Sequence, residues 1–172
     1  IQGRNPRVQL LDSELPLDKS VIDLVGNLRD SYLAIQGPPG TGKTTLGSKI
    51  IVELMKRNYR VGVTSNSHKA IHELLHSVEI QSKVKGFKFK GLKKGSQDFP
   101  DSFYPSDGTV YNYADRKDYK LGDRTVIYNI SALSEINYDL PKTYSLISGT
   151  VFLFCNDRLE NALDFLFVDE AG

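Results

Sequence analysis

The sequence predicts an α/β fold: a parallel sheet flanked by helices. Three observations carry that expectation. Between residues 32 and 78, apolar runs and helical periodicity alternate in the order strand, loop, helix, strand, helix. The loop in that series, Gly37–Thr44, is glycine-rich. A further apolar run, Leu166–Val168, ends in the acidic pair Asp169-Glu170. Strands joined through a helix in this way make right-handed crossovers and lie parallel.

Each element has a local reason. Residues 1–16 are polar and broken by proline, and read as an extended lead-in. Leu17, Val21, Leu24, Val25 and Leu28 recur at helical spacing, with Asp18 near the start. Tyr32–Gln36 is short and apolar enough for a buried strand. Leu46, Ile50, Ile51, Leu54 and Met55 share one face of a helix running from Gly42 to Asn58. Arg60–Thr64 reads as a second strand. Ser65–Val78 reads as a helix whose apolar face is Ile71, Leu74, Leu75 and Val78. Residues 80–130 change character, with six lysines between Lys83 and Lys94 and a stretch rich in Asp, Tyr, Phe, Pro and Gly after it. They read as an inserted subdomain of short strands and loops. The main domain then comprises 17–79 and 131–172. Leu133–Ile136 starts a short helix, Ser145–Ile147 is a strand end or a loop, and Val151–Phe154 and Phe165–Val168 are two more buried strands. A short helix around Arg158–Leu163 joins them.

Bulk properties narrow the class. The 172 residues carry a formal net charge of +1, so whole-molecule charge does not announce a nucleic-acid partner. The lone cysteine, Cys155, excludes an internal disulfide and reads as a small core residue. No apolar run nears the roughly 20 residues of a membrane span, and a cytoplasmic protein without a membrane partner is expected. The chain begins at Ile1 and ends at Asp169-Glu170-Ala171-Gly172, which reads as a piece of a longer polypeptide.

The chemistry is concentrated at two places. Gly37-Pro38-Pro39-Gly40-Thr41-Gly42-Lys43-Thr44 fits the phosphate-loop pattern G-x-x-x-x-G-K-[ST], the Walker A motif. Its glycines let backbone N–H groups meet phosphate oxygens. Lys43 brings a charge to the β- and γ-phosphates, Thr44 a hydroxyl to Mg²⁺, and the following helix its positive N-terminal end. The nucleotide-binding segment is taken as Gln36 to Thr45. At the second place, Asp169 at a strand end suits Mg²⁺ through its water shell, and Glu170 can orient and deprotonate an attacking water. A loop and an acidic pair of this kind together favour a P-loop NTPase that hydrolyses ATP.

Gln36–Thr44, Thr64-Ser65-Asn66-Ser67-His68-Lys69-Ala70 and Asp169–Gly172, in that order, resemble a superfamily 1 helicase. The similarity is to RNA-surveillance helicases and the nuclease-helicases of Okazaki-fragment processing. Gly149–Phe154 and Leu166–Gly172 resemble the helicase half of bacterial proteins that fuse a RecB-type nuclease to such a helicase. The resemblance covers roughly residues 17–78 and 145–172. It implies a RecA-like first motor domain using ATP and Mg²⁺. It also implies single-stranded nucleic acid, DNA favoured over RNA, along Ser65, Asn66, His68, Lys69 and Thr150. Its implied polypeptide partners are a second RecA-like domain and a RecB-type nuclease. The glutamine that reads adenine in the family has no counterpart around Asp18-Lys19-Ser20. In the family, arginine fingers and a further central strand follow the Asp-Glu segment. The 172 residues alone are therefore expected to bind nucleotide, hydrolyse it slowly and not unwind.

Weaker signals stay open. The lysines of 83–94 form either a nucleic-acid arm with Phe87 or Phe89 stacking on bases, or a solvated amphipathic hairpin with its phenylalanines turned inward. The second is favoured. His68, His72 and His76 stand four apart and read as a surface stripe rather than a zinc site. Against the motor reading stand two others: an unrelated P-loop enzyme such as a small-molecule kinase, and a nucleotide-binding switch without turnover.

Overall fold

The computed structural model describes residues 16–38, 40–95, 102–106, 125–135 and 144–170. The lead-in up to residue 15, Pro39 and most of 96–124 lie outside the described residues. The described elements are helices α1 (Leu17–Gly26), α2 (Lys43–Lys56), α3 (His68–Val84) and α4 (Val151–Phe154), and strands β1 (Val61–Ser65), β2 (Lys90–Lys94), β3 (Val126–Ile130), β4 (Leu146–Thr150) and β5 (Phe165–Asp169). The five strands form one parallel sheet in the order β3-β2-β4-β1-β5. The expected α/β, RecA-like arrangement of a parallel sheet flanked by helices is what the chain forms.

Period-two alternation sorts the sheet's side chains into two cores. Val61 and Val63 of β1 join Leu146 of β4 and Ile127 of β3 on one face, under Ile50, Ile51 and Leu54 of α2 and Ile71, Leu75 and Val78 of α3. Val21 and Val25 of α1 extend this core. On the other face, Leu92, Tyr128 and Ile147 pack with Leu153 of α4, Leu159 and Ala162. Gly62 permits that second layer. A Cβ there would meet Leu163 Cδ1 at 2.6 Å and Leu166 Cδ1 at 2.8 Å.

Three expectations about the strands need correcting. Tyr32–Gln36 forms no strand; it is extended chain whose Tyr32, Leu33 and Ile35 side chains are exposed. No neighbouring strand pairs with it among the described residues, and unpaired backbone prefers water. Val151–Phe154 is a helical turn rather than a strand, burying only Leu153 fully while Phe152 is 83% exposed. The strand lies just before it, at Leu146–Thr150. Finally, the 80–130 stretch gives β2 and β3 to the main sheet, so its described part is not separate from that sheet. β2 looks too basic for a core strand, but Gly91 and Leu92 are buried and Lys93 is fully buried with its ammonium partnered.

The helices follow their signals closely. α3 begins later than expected because Ser67 caps it: its hydroxyl accepts the Ala70 N–H at 3.1 Å. α3 then runs six residues past Val78. Short 3-10 turns occupy Leu133–Glu135 and Asp157–Leu159 where short helices were expected.

Candidate phosphate and nucleic-acid site

The phosphate-loop segment leads directly into α2. Gly40 and Gly42 have φ of +79° and +83°, the left-handed region that favours glycine. Gly42 is the residue preceding α2, and having no side chain it leaves the first-turn amides uncapped. No acidic residue occupies the first turn either. A 14-residue helix therefore presents open N–H groups and its positive dipole end beside a loop free of bulky side chains. Lys43 folds back over the loop: its ammonium donates to the Gly37 carbonyl and to the Pro38 carbonyl at 2.8 Å. Thr41 fixes the turn by donating its hydroxyl to the Pro38 carbonyl at 2.8 Å. Gln36, Thr44 and Thr45 are exposed. Pro39 lies outside the described residues.

Three strands bring the other expected residues to one edge. In a parallel sheet all C-terminal strand ends point the same way, and ligands gather beyond them. Register pairs Ser65 of β1 with Thr150 of β4 and with Asp169 of β5, so the three stand in a row on one face. Ser65 is buried, and its hydroxyl has no hydrogen-bond partner among the described residues; the same holds for Thr64 one residue earlier. Asp169 is half-buried and Oδ1 accepts the Glu170 N–H at 3.1 Å. Glu170 is exposed at φ +55°, a conformation that costs a glutamate about 1–2 kcal/mol. Asn66 donates its side-chain amide to the Glu170 carbonyl at 3.4 Å.

His68 and Lys69 follow at the start of α3, with Lys69 exposed. His68 faces inward to a partner that the sequence did not reveal. Lys93 Nζ lies 2.9 Å from His68 Nδ1 and also donates to the Lys94 carbonyl at 2.8 Å. With the ammonium as donor, Nδ1 accepts and the ring proton sits on Nε2. His72 and His76 pack against Phe103, with ring centroids 5.8 and 4.8 Å away, so the histidines are a half-buried packing row rather than a surface stripe. No cluster of three metal-ligating side chains occurs among the described residues. Phe89 is buried and Phe87 stacks on it at 6.2 Å, so the phenylalanines turn inward as expected, but the segment is no hairpin: β2 pairs in parallel with β3 and β4, and Lys93 is buried rather than solvated. Cys155 is exposed, not a core residue. No helix among the described residues is long and apolar enough to cross a membrane.

The oxygen donors Thr44 and Asp169 are hard ligands of the kind Mg²⁺ takes, and a single carboxylate with a hydroxyl suits an ion that keeps waters and borrows phosphate oxygens. The acceptable chemistry is thus phosphate binding at the loop and carboxylate chemistry at the β5 end.

Comparison with known proteins supports the same direction. The chain is 30% identical over 166 residues to the DNA replication ATP-dependent helicase/nuclease DNA2 of Saccharomyces cerevisiae. That alignment takes in 94% of this chain but 9% of the yeast protein. No family model matches the chain, and no solved structure matches it. The similarity supports a helicase-like nucleotide-binding domain.

Proposed function

We propose that this chain is the ATP-binding first motor domain of a nucleic-acid-dependent ATPase of the helicase type, directed to DNA. One observation carries the reading: an uncapped α2 N-terminus preceded by two left-handed glycines, with the Lys43 ammonium folded over the same loop. An anion with several oxygens is what such a site satisfies.

The roles follow residue by residue. Gly37–Thr45, with Gln36 before them, receive the triphosphate, and Lys43 stabilises charge on the β- and γ-phosphates. Thr44 and Asp169 would hold Mg²⁺, which when bound neutralises phosphate charge. Glu170 orients the attacking water and takes its proton. Ser65, Asn66, His68, Lys69 and Thr150 are proposed to serve single-stranded DNA at the C-terminal edge, where Asn66 and Lys69 are exposed to contact it while Ser65 is buried and His68 engages Lys93. The yeast relative is named as a helicase and nuclease; the partners proposed for this chain, a second RecA-like domain and a RecB-type nuclease, rest on the resemblance carried by Gly149–Phe154 and Leu166–Gly172. The motor domain is proposed to comprise 17–79 and 131–172 together with β2 and β3, which complete its sheet.

The test is binding of a fluorescent ATP analogue with Mg²⁺. Wild type should bind, and Lys43→Ala should weaken binding about 10-fold or more, the scale of a lost charge-assisted contact. Absence of binding by wild type sinks the proposal. Stimulation of hydrolysis by oligo-dT marks a motor, and binding without stimulated turnover marks a switch.

A further inference from the structure

Glu170 is held from two sides by side chains. Its N–H goes to the Asp169 carboxylate at 3.1 Å, and its carbonyl accepts from the Asn66 amide at 3.4 Å. These contacts fasten a residue whose φ of +55° is otherwise unfavourable for glutamate. Asn66 lies on the turn between β1 and α3, is exposed, and directly follows the end of the strand paired with β5. One exposed amide therefore links the turn to the backbone of the acid across the strand gap.

The neighbouring residue makes this edge able to rearrange. Ser65 shares a face with Asp169, and its buried hydroxyl has no partner among the described residues. A buried unmatched donor favours any arrangement that gives it an acceptor. The Asp169 carboxylate, now engaged with the Glu170 N–H, is the acceptor that stands opposite.

We propose that Asn66 is a positioning residue for Glu170 and that it couples the two ligands of the site. Single-stranded nucleic acid engaging the Asn66 amide draws it from the Glu170 carbonyl. Glu170 then leaves its left-handed conformation and the Asp169 carboxylate turns to Ser65. Nucleotide with Mg²⁺ at Asp169 and a strand at Asn66 therefore alter each other's affinity, and by linkage they do so equally. The inference rests on the proposed function.

The experiment measures the Kd of a fluorescent ATP analogue with Mg²⁺, with and without saturating oligo-dT, on wild type and Asn66→Ala. Asn66 is exposed, so the variant keeps its core. The ratio of the two Kd values cancels any uniform loss of affinity. Wild type should show a ratio of about 5-fold or more, in the ordinary range for coupled sites, and Asn66→Ala a ratio near one. The Glu170 carbonyl ¹³C resonance should move on adding oligo-dT to wild type and stay still in the variant. A wild-type ratio retained in Asn66→Ala overturns the proposal, as does a ratio near one in both. Complete loss of oligo-dT binding in Asn66→Ala also overturns it, because Asn66 is then a plain contact. Failure of wild type to bind nucleotide or oligo-dT at all would instead defeat the underlying functional reading.

Discussion

Arg60 and Asp164 show what single residues contribute away from the site. Asp164 precedes β5 and accepts from the Arg60 Nε at 3.0 Å, from its Nη2 at 2.9 Å and from its backbone N–H at 2.7 Å. The pair pins the start of β5 to the start of β1, at the end of the sheet opposite the acids. The Arg60 side chain, with the backbone N–H, holds the Asp164 carboxyl below its ordinary value. A carboxyl with a lowered folded-state pKa gives stability that is present above the unfolded pKa and lost as pH falls through the folded one. Both side chains are about one-third exposed, so solvent screening limits the contribution. Asp164→Asn should therefore cost about 1 kcal/mol at neutral pH. The gap between wild type and variant should close as pH drops below the usual aspartate range. Urea titrations at pH 7 and pH 3 check this: an undiminished gap at pH 3 defeats the assignment. The residue scale also shows where the sequence spoke clearly. The turn at Gly40 and Gly42 was legible because glycine is the residue that adopts the left-handed conformation both show. The link from Asn66 to Glu170 was not, since nothing in the sequence sets the register of β1 against β5.

Among the elements, β1, β5, α2 and α3 could be read because their apolar periodicity is clean. β4 was read only at its start, as a strand end or a loop over 145–147, and β2 only as one of several unplaced short strands, for an identifiable reason. β4 is Leu-Ile-Ser-Gly-Thr, and its polar, small residues answer crowding: Ser148 donates to the Leu92 carbonyl at 2.9 Å, and a Cβ on Gly149 would meet Leu153 Cδ2 at 2.7 Å. The more apolar run beside it, Val151–Phe154, drew the strand assignment and is instead the helical turn that roofs β4. Lysines similarly disguise β2. β5 differs from the strands inside the sheet. It pairs only with β1 among the described residues, and Leu166 and Val168 are 47% and 55% exposed, whereas all five residues of β1 are buried between two neighbours. Alternate backbone groups of an edge strand point away from the ladder. Hydrogen exchange should accordingly alternate along β5, with the outward amides at least about 10-fold faster than any in β1. β3 is also at an edge among the described residues but has buried side chains throughout, so its outward amides should exchange more slowly than those of β5. Uniform protection along β5 would mean that its edge is covered.

At the scale of the molecule, one sheet separates two apolar cores, and the phosphate loop belongs to neither. The helix that follows it, α2, belongs to the first core and packs on α3, α1 and β1. A ligand that ties the loop to the Asp169 end of β5 adds a connection between α2 and β5, so nucleotide should stabilise the whole domain rather than the loop alone. A ligand at 100 times its Kd contributes about 2.7 kcal/mol when it binds only the folded state. For a domain of this length, that raises Tm by about 5–10 °C. ATP with Mg²⁺ should produce this shift in a thermal melt. ATP with EDTA should produce a smaller one, because in the proposed site Thr44 and Asp169 would reach the phosphates through the ion. The difference between the two shifts then measures the bridge from α2 to β5 separately from the loop's own grip on phosphate. Asp169→Asn should remove most of that difference while leaving the EDTA shift in place. Equal shifts with and without Mg²⁺ in wild type would place the nucleotide on the loop alone and detach Asp169 from the site.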